Sequence, residues 1–346
     1  MNLSCPIPME KYPHILLGHG GGGKLMNHLI EDMFKHAFQN PYLELGHDSA
    51  LIQANNHPMS VTTDSFVARP IIFPGGDIGK LAVYGTVNDL AMIGSRPHFL
   101  TASFILEEGL PMEVLWNIVL SIRSTAAECE VQIVTGDTKV VEKGHGDGIY
   151  INTTGIGYLA NTKPCIPTNI EVGDMILLSG DIGRHGMSLM AQREQFDFDR
   201  PIESDCANLY PLVKALLDQN IHIKCMRDLT RGGTTSALVE LSQQTGKKFI
   251  IEQNQIIVEE NVSSACELLG IDPLQVACEG RMILFVPPQD AHKSLNILRQ
   301  FDLSKNATLL GQVASNMERG RVSIKNELNI ERNLIMPSGE LLPRIC

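Results

Sequence analysis

Four aspartates, Asp48, Asp64, Asp89 and Asp137, stand at the ends of strand-like runs or within turn signals. Asp48 precedes Ser49-Ala50-Leu51, and Asp64 closes Ser60-Val61-Thr62-Thr63. Asp137 lies between Val134-Thr135-Gly136 and Thr138-Lys139, and Asp89 interrupts the apolar run Thr86-Val87-Asn88-Asp89-Leu90. Taken singly, each reads as a cap or a solvated side chain. Gathered at one edge of a sheet, such carboxylates can hold Mg²⁺, which takes one or two of them together with phosphate oxygens. Asp89 calls for a partner in particular, because a lone buried carboxylate is costly. A metal ion would supply it.

A second group of residues has the chemistry of anion binding. Gly18-His19-Gly20-Gly21-Gly22-Gly23-Lys24 satisfies the spacing of a phosphate-binding P-loop up to its last position, where Leu25 replaces the hydroxyl that ligates magnesium. That departure sets a true P-loop aside. The wider reading stands: glycines at a helix start let backbone N–H groups converge on an anion. His19 is the best functional candidate among the eleven histidines, and a flexible surface loop is the alternative for the whole run. Arg227-Asp228-Leu229-Thr230-Arg231-Gly232-Gly233 opens a helix in this reading, with arginines and glycine amides suited to phosphate. The alternative there is a capped helix with surface arginines. Ala277-Cys278-Glu279-Gly280-Arg281 puts a carboxylate in a turn before a strand, and His145 reads as a loop histidine.

The elements that must position these groups follow from periodicity. After the glycine run, Leu25, Leu29, Ile30, Met33 and Ala37 recur at helical spacing. Strand-like runs cover 49–54 and 59–63, and Asp77 can cap a helix carrying Ile78, Leu81, Val87, Leu90 and Ala91. A strand at 97–106, an amphipathic helix after Pro111, and strands at 131–134 and 148–159 complete the first half. The order ββ-α-β-α-ββ predicts an α+β sandwich rather than a doubly wound sheet. The second half predicts a strand at 175–179, helices near 184–195, 206–219 and 233–245, and strands near 281–287, 307–314 and 321–325.

This reading divides the chain into a glycine-rich segment 1–40, an N-terminal domain 41–160, a proline-containing linker 161–173, a C-terminal domain 174–326 and a mobile extended tail 327–346. The 346 residues suffice for two cores, and 43% apolar with 19% charged residues is ordinary for a globular protein. A net charge of −11 argues against nucleic acid or an anionic membrane as partner. No apolar run approaches a membrane span, and the proline-broken start does not read as an export signal. The eight cysteines include no C-x-x-C pair, so reduced thiols in a cytoplasm are expected. Cys346 differs from the other seven because it is the last residue.

The motifs Thr62-Thr63-Asp64-Ser65-Phe66-Val67, Phe73-Pro74-Gly75-Gly76-Asp77-Ile78-Gly79-Lys80, Gly85-Thr86-Val87-Asn88-Asp89-Leu90-Ala91, Thr135-Gly136-Asp137-Thr138-Lys139-Val140-Val141 and Asp228-Leu229-Thr230-Arg231-Gly232-Gly233 resemble the HypE family of hydrogenase maturation factors. The aspartate motifs alone indicate the wider PurM-like, or aminoimidazole ribonucleotide synthetase, superfamily. The ending Leu342-Pro343-Arg344-Ile345-Cys346 narrows it to HypE, and the resemblance runs from about residue 14 to the terminus. The glycine segment lacks the serine or alanine the family usually carries there, and Leu229 stands where many superfamily members have proline.

The resemblance implies a two-domain PurM-like α/β fold whose N-terminal domain dimerises, and an ATP-dependent carbamoyl dehydratase working in the cytoplasm. It implies ATP contacts from His19, Gly20, Gly21, Lys80, Asp64, Asp89, Asp137 and Arg231, and Mg²⁺ at Asp48, Asp64, Asp89 and Asp137. It implies that Cys346 carries the carbamoyl group, with Lys139 and Glu279 as candidate proton acceptors. Its implied partners are the carbamoyltransferase HypF and the HypC–HypD iron carrier. In that chemistry the S-carbamoyl oxygen is phosphorylated so that phosphate leaves, and removal of both N–H protons makes a thiocyanate. Lys139 can act as a base only where burial or neighbouring charge keeps it neutral. Two other classes remain open at this point: a PurM-like kinase or ligase acting on a free small molecule, and a nucleotide-binding assembly scaffold without catalysis.

Overall fold

The computed structural model describes residues 13–16, 29–40, 59–159, 163–196 and 198–335. His19, Gly20, Gly21, Asp48, Cys346 and the strand expected at 49–54 lie outside the described residues. Near the start, Leu29–Lys35 winds as a π-helical turn that buries Leu29 and Met33. Ile15 hydrogen-bonds the Leu110 carbonyl, so residues 13–16 lie along the segment before Pro111.

The first half then runs β1 (Met59–Phe66), a short ribbon of β2 (Ile72–Phe73) and β3 (Gly76–Asp77), α1 (Ile78–Met92), β4 (Arg96–Glu107), α2 (Met112–Glu128), β5 (Gln132–Val141) and β6 (Ile149–Tyr158). Strands β1, β6, β4 and β5 form one sheet in that order, antiparallel except for the β4–β5 pair. A parallel pair needs a crossover, and α2 provides it. Asp77 caps α1 as expected, its carboxylate accepting the Gly79 and Lys80 N–H groups at 2.7 and 2.9 Å. Along β6 burial alternates strictly, the odd positions facing the helices and the even ones facing away. Leu115, Ile118, Val119 and Ile122 of α2 bury the same side. The outward face carries Val61, Thr63, Ser65, Ile105, Asp137 and Lys139, all exposed.

The second half builds a larger sheet. Its elements are β7 (Met175–Leu178), α3 (Arg184–Arg193), α4 (Tyr210–Asp218), β8 (Cys225–Asp228), α5 (Gly233–Thr245), β9 (Lys247–Glu252), α6 (Glu260–Leu269), β10 (Met282–Val286), α7 (Pro288–Leu298), β11 (Thr308–Asn316), β12 (Arg321–Lys325) and β13 (Glu331–Leu334). The sheet order is β13-β12-β9-β11-β7-β10-β8. Three differences from the sequence reading matter. Arg227 and Asp228 end a strand rather than open a helix; the helix starts five residues later, at Gly233. β9, α6 and α7 fill segments for which the pattern predicted nothing. β13 lies inside the stretch expected to be a mobile tail from residue 327, where it pairs antiparallel with β12.

Helix α1 is the hinge of the architecture in a static sense: 13 of its 15 residues are buried, so it has no solvent face. It packs against β1 and β6 on one side, α2 on another, and α4 and β8 of the second half on a third. Gly79 permits the α2 contact, since a Cβ there would stand 2.7 Å from the Ile118 carbonyl oxygen. Burial on every side explains why a polar pair within this helix, Asn88-Asp89, must find its partners in the protein or in a ligand.

Candidate active site

Between the two halves lies a cleft of about 520 Å³. Thr62 and Asp64 of β1 and Asp89 of α1 line it from one side; Arg227, Asp228, Arg231 and Glu279 line it from the other. The alternation of β1 turns Thr62 and Asp64 inward towards α1. On the opposite wall β8 ends at Asp228, and the chain turns through Gly232 and Gly233, both at positive φ, into α5. A Cβ on Gly233 would stand 2.5 Å from the Val276 carbonyl oxygen, so glycine is what lets this turn pass close to the segment before Glu279.

Electrostatically the cleft is a crowd of carboxyls. Thr62 donates its hydroxyl to Asp89 Oδ2 at 2.8 Å, and Asp64 Oδ1 accepts the Ser65 N–H at 2.7 Å. Asp89 and Asp228 face each other closely enough that each carboxyl perturbs the other. Burial first, then the neighbouring Asp89 carboxylate, pushes the Asp228 carboxyl up to about 8. Burial likewise raises Asp64 and Asp89, in both cases against the nearby Arg231 guanidinium, which lowers them. Glu279 is 3% exposed. Burial, followed by Asp228 and Asp205, holds its carboxyl well above the usual range. Such a group is a stronger base than an ordinary carboxylate once ionised, and it must give up its own proton before it can accept one from a substrate.

Glu279 is held by its backbone. Its N–H donates to Asp205 Oδ1 at 2.9 Å, and its carbonyl accepts from the Asn88 side chain at 3.2 Å. A Cβ on Gly280 would collide with the Asp205 carbonyl oxygen, which fixes glycine after the carboxylate. Two residues further on, Arg281 is 1% exposed and bonds Asp181 Oδ1 at 2.6 Å, with its Nε on the Asp181 carbonyl at 2.8 Å. Arg184 bonds the other Asp181 oxygen at 2.6 Å. This buried, fully bonded cluster anchors the turn that carries Glu279 from behind.

The structure brings Asp64, Asp89, Arg231 and Glu279 together, as the sequence motifs suggested, and adds Asp228 and Thr62. Asp228 was visible in its motif but lay between two arginines that drew the reading towards phosphate. Asp137 and Lys139 are elsewhere within one chain. They lie on β5, at the opposite edge of the sheet from β1 and on its outward face. Three strand spacings put them about 14 Å from β1. Lys139 Nζ bonds Asp137 Oδ2 at 2.8 Å, with both side chains more than half exposed in a single chain. The Lys139 hydrogen bond first of all holds the Asp137 carboxyl below its usual range. Lys80 is also outside the cleft lining: its amine reaches the Gly75 carbonyl at 3.5 Å and stands over the Tyr84 ring.

Among the described residues no three His, Cys, Asp or Glu side chains form a ready-made metal centre. The donor set nevertheless fits Mg²⁺, which draws one or two ligands from protein carboxylates and the rest from phosphate and water. Asp64 and Asp89 offer hard oxygens at the cleft wall, and the buried Asp228 Oδ2 has no hydrogen-bond partner.

The family of AIR synthase related proteins matches twice, its N-terminal domain over residues 46–159 and its C-terminal domain over 171–323. The chain is 43% identical over 328 residues to the carbamoyl dehydratase HypE of Azotobacter vinelandii, covering 95% of this chain and 96% of that protein. A crystal structure of the hydrogenase maturation protein HypE in complex with ATP superposes with a TM-score of 0.92 at 40% identity, covering 96% of this chain and 99% of that one. HypE in a HypE–HypF complex superposes with a TM-score of 0.78 at 45% identity, covering 89% and 99%. This chain therefore belongs to the AIR synthase related proteins and, within them, to the family of HypE carbamoyl dehydratases.

Proposed function

We propose that this protein is an ATP-dependent carbamoyl dehydratase of hydrogenase maturation, which converts an S-carbamoyl group on its own Cys346 to a thiocyanate. The thiocyanate would supply the cyanide ligand of the hydrogenase iron. The observation that carries this reading is the buried Glu279 carboxyl in a cleft walled by Asp64, Asp89 and Arg231, in a chain alike over nearly its whole length to a HypE crystallised with ATP.

The chemistry assigns work to these groups. The carbamoyl oxygen attacks the γ-phosphorus of ATP, ADP departs, and one N–H proton is lost to give an O-phosphorylated imidate. The second N–H proton then goes to a base while the C–O bond breaks, leaving S–C≡N and phosphate. Glu279 is the proton acceptor on the cleft wall, its affinity for a proton raised by burial. Arg231 stabilises charge on the phosphoryl group. Asp64 and Asp89 would hold Mg²⁺, with Asp48 and Asp137 the other expected ligands, and the ion would neutralise phosphate charge. The glycine run at His19, Gly20 and Gly21 takes the phosphates through backbone N–H groups.

Asp137 and Lys139 fit this scheme in a dimer. The outward face of the first sheet exposes Met59, Val61 and Ile105 at 52, 58 and 44%. Packing that face against a second copy would bury them and carry Asp137 and Lys139 towards the neighbour's cleft, desolvating the lysine. The partners of this scheme are HypF, which loads the carbamoyl group, and the HypC–HypD complex, which receives the product; it runs in the cytoplasm.

Intact-protein mass spectrometry tests the reading. With HypF, carbamoyl phosphate and ATP, the wild type should gain a carbamoyl adduct that loses the mass of water only when this protein can use ATP. Cys346→Ala should gain no adduct. An adduct that persists in that variant, or none with a demonstrably active HypF, would turn attention to a free small-molecule substrate.

A further inference from the structure

Asn88 precedes the cleft aspartate Asp89 but turns away from it, into the contact between the two halves of the molecule. It is 2% exposed. Its Nδ2 group donates to two backbone carbonyls of the second half, Ala207 at 3.0 Å and Glu279 at 3.2 Å. Its Oδ1 accepts the Leu209 N–H at 2.8 Å. The carbonyl it holds at Glu279 belongs to a residue 191 positions away in the chain. Only one orientation of the amide satisfies all three groups, and no other side chain of this size offers two donors and an acceptor. One of the three bonds joins helix α1, which presents Asp89, to the peptide that presents Glu279, and the other two join α1 to the segment at Ala207 and Leu209.

We infer that Asn88 is a positioning residue of the dehydration reaction: it sets the distance between the phosphate side of the cleft, on α1, and the proton acceptor Glu279. The inference rests on the functional reading above. Other contacts hold the same peptide from the second half alone, namely Asp205 on the Glu279 N–H and Gly280 against the Asp205 carbonyl. They fix Glu279 relative to its own sheet. Among the described residues Asn88 makes the side-chain hydrogen bond that ties this peptide across to α1. Removing it leaves two carbonyls and one N–H in a buried contact without partners, and the peptide is then free to settle towards the second half. Asp89 and Asp64 stay where they are, because β1 and the rest of α1 hold them.

The expected signature is therefore a split between nucleotide binding and chemistry. In Asn88→Ala, single-turnover loss of water from the carbamoylated protein should slow by about 10- to 100-fold, the size of effect that a displacement of about 1 Å produces in a reacting group. The ATP concentration giving half-maximal rate should stay within about twofold. Asn88→Ser, which retains one donor and one acceptor, should fall between the alanine variant and the wild type, and it decides the question on the same readouts if the alanine variant does not fold. An unchanged rate in both variants overturns the inference. So does a fall in rate that tracks a loss of ATP affinity and of melting temperature, because that is the pattern of a purely structural residue. A wild type that never loses water with ATP refutes the functional reading itself, a result distinguishable from an active wild type matched by its variants.

Discussion

Glu279 shows how one side chain sets stability and chemistry against each other. Its carboxyl is 3% exposed and raised well above its usual range by burial and by Asp228 and Asp205. A carboxyl whose folded pKa lies above its unfolded one contributes stability that is complete below the unfolded value of about 4.3 and is lost as pH rises through the folded one. The nucleotide-free protein should therefore melt at falling temperature as pH rises above the usual carboxylate range, as that linkage requires. Glu279→Gln keeps the shape and removes the titration, so its melting temperature should vary less with pH there. Its dehydration rate should fall by about 10²- to 10⁴-fold, the usual contribution of a positioned base. Calorimetry on both proteins checks the first expectation and adduct mass spectrometry the second. A Gln variant with wild-type turnover would remove Glu279 from the mechanism.

At the scale of elements, α1 forms one wall of the cleft and is packed on every side. A helix buried all round gains from every neighbour: each fully buried Leu, Ile or Val side chain contributes about 1.5–3 kcal/mol. The same burial leaves no slack, as Gly79 illustrates. Helix propensity alone favours alanine over glycine by about 1 kcal/mol. Here a Cβ would meet the Ile118 carbonyl oxygen at 2.7 Å and Ile122 at 2.9 Å, both on α2. Overpacking of this kind costs about 1–3 kcal/mol, so Gly79→Ala should lower stability in denaturant titrations despite its better propensity. A stabilised Gly79→Ala would mean that α1 and α2 can separate freely.

At the scale of the molecule, the first sheet keeps one face for its own helices and exposes the other. That face carries Val61 and Ile105 beside Asp137 and Lys139, which one chain holds at the far edge from the cleft. Val61→Lys should leave the fold of the single chain intact, since substitutions at exposed positions change stability by about 0.5 kcal/mol or less. It should convert a dimer to a monomer by light scattering, and dehydration should fall with it. A wild type that is monomeric and active would instead leave Lys139 without a route to the cleft.

From residue 59 on, the main strands and helices of the first half, the cap at Asp77 and the helix from 233 were legible in the sequence because they rest on local rules, such as alternation, 3.6-residue spacing and capping chemistry. So was the association of Asp64, Asp89 and Glu279 with one site, through motifs that resemble a known family. Strand β8, whose Arg227 and Asp228 break its apolar pattern, carries too little signal to be read, and β13 is held in place by non-local contacts, its pairing with β12 and the ion pair of Glu331 with Lys248. What the tertiary structure alone decided is which of these carboxyls share a wall. Asp228 joins Asp89 because β8 happens to end against α1, and Asp137 is excluded because β5 lies at the other edge of the sheet with its side chain on the other face. Sheet order and facing are set by pairings between strands far apart in the chain. The free energy of those pairings depends on the whole packed core rather than on any stretch of residues.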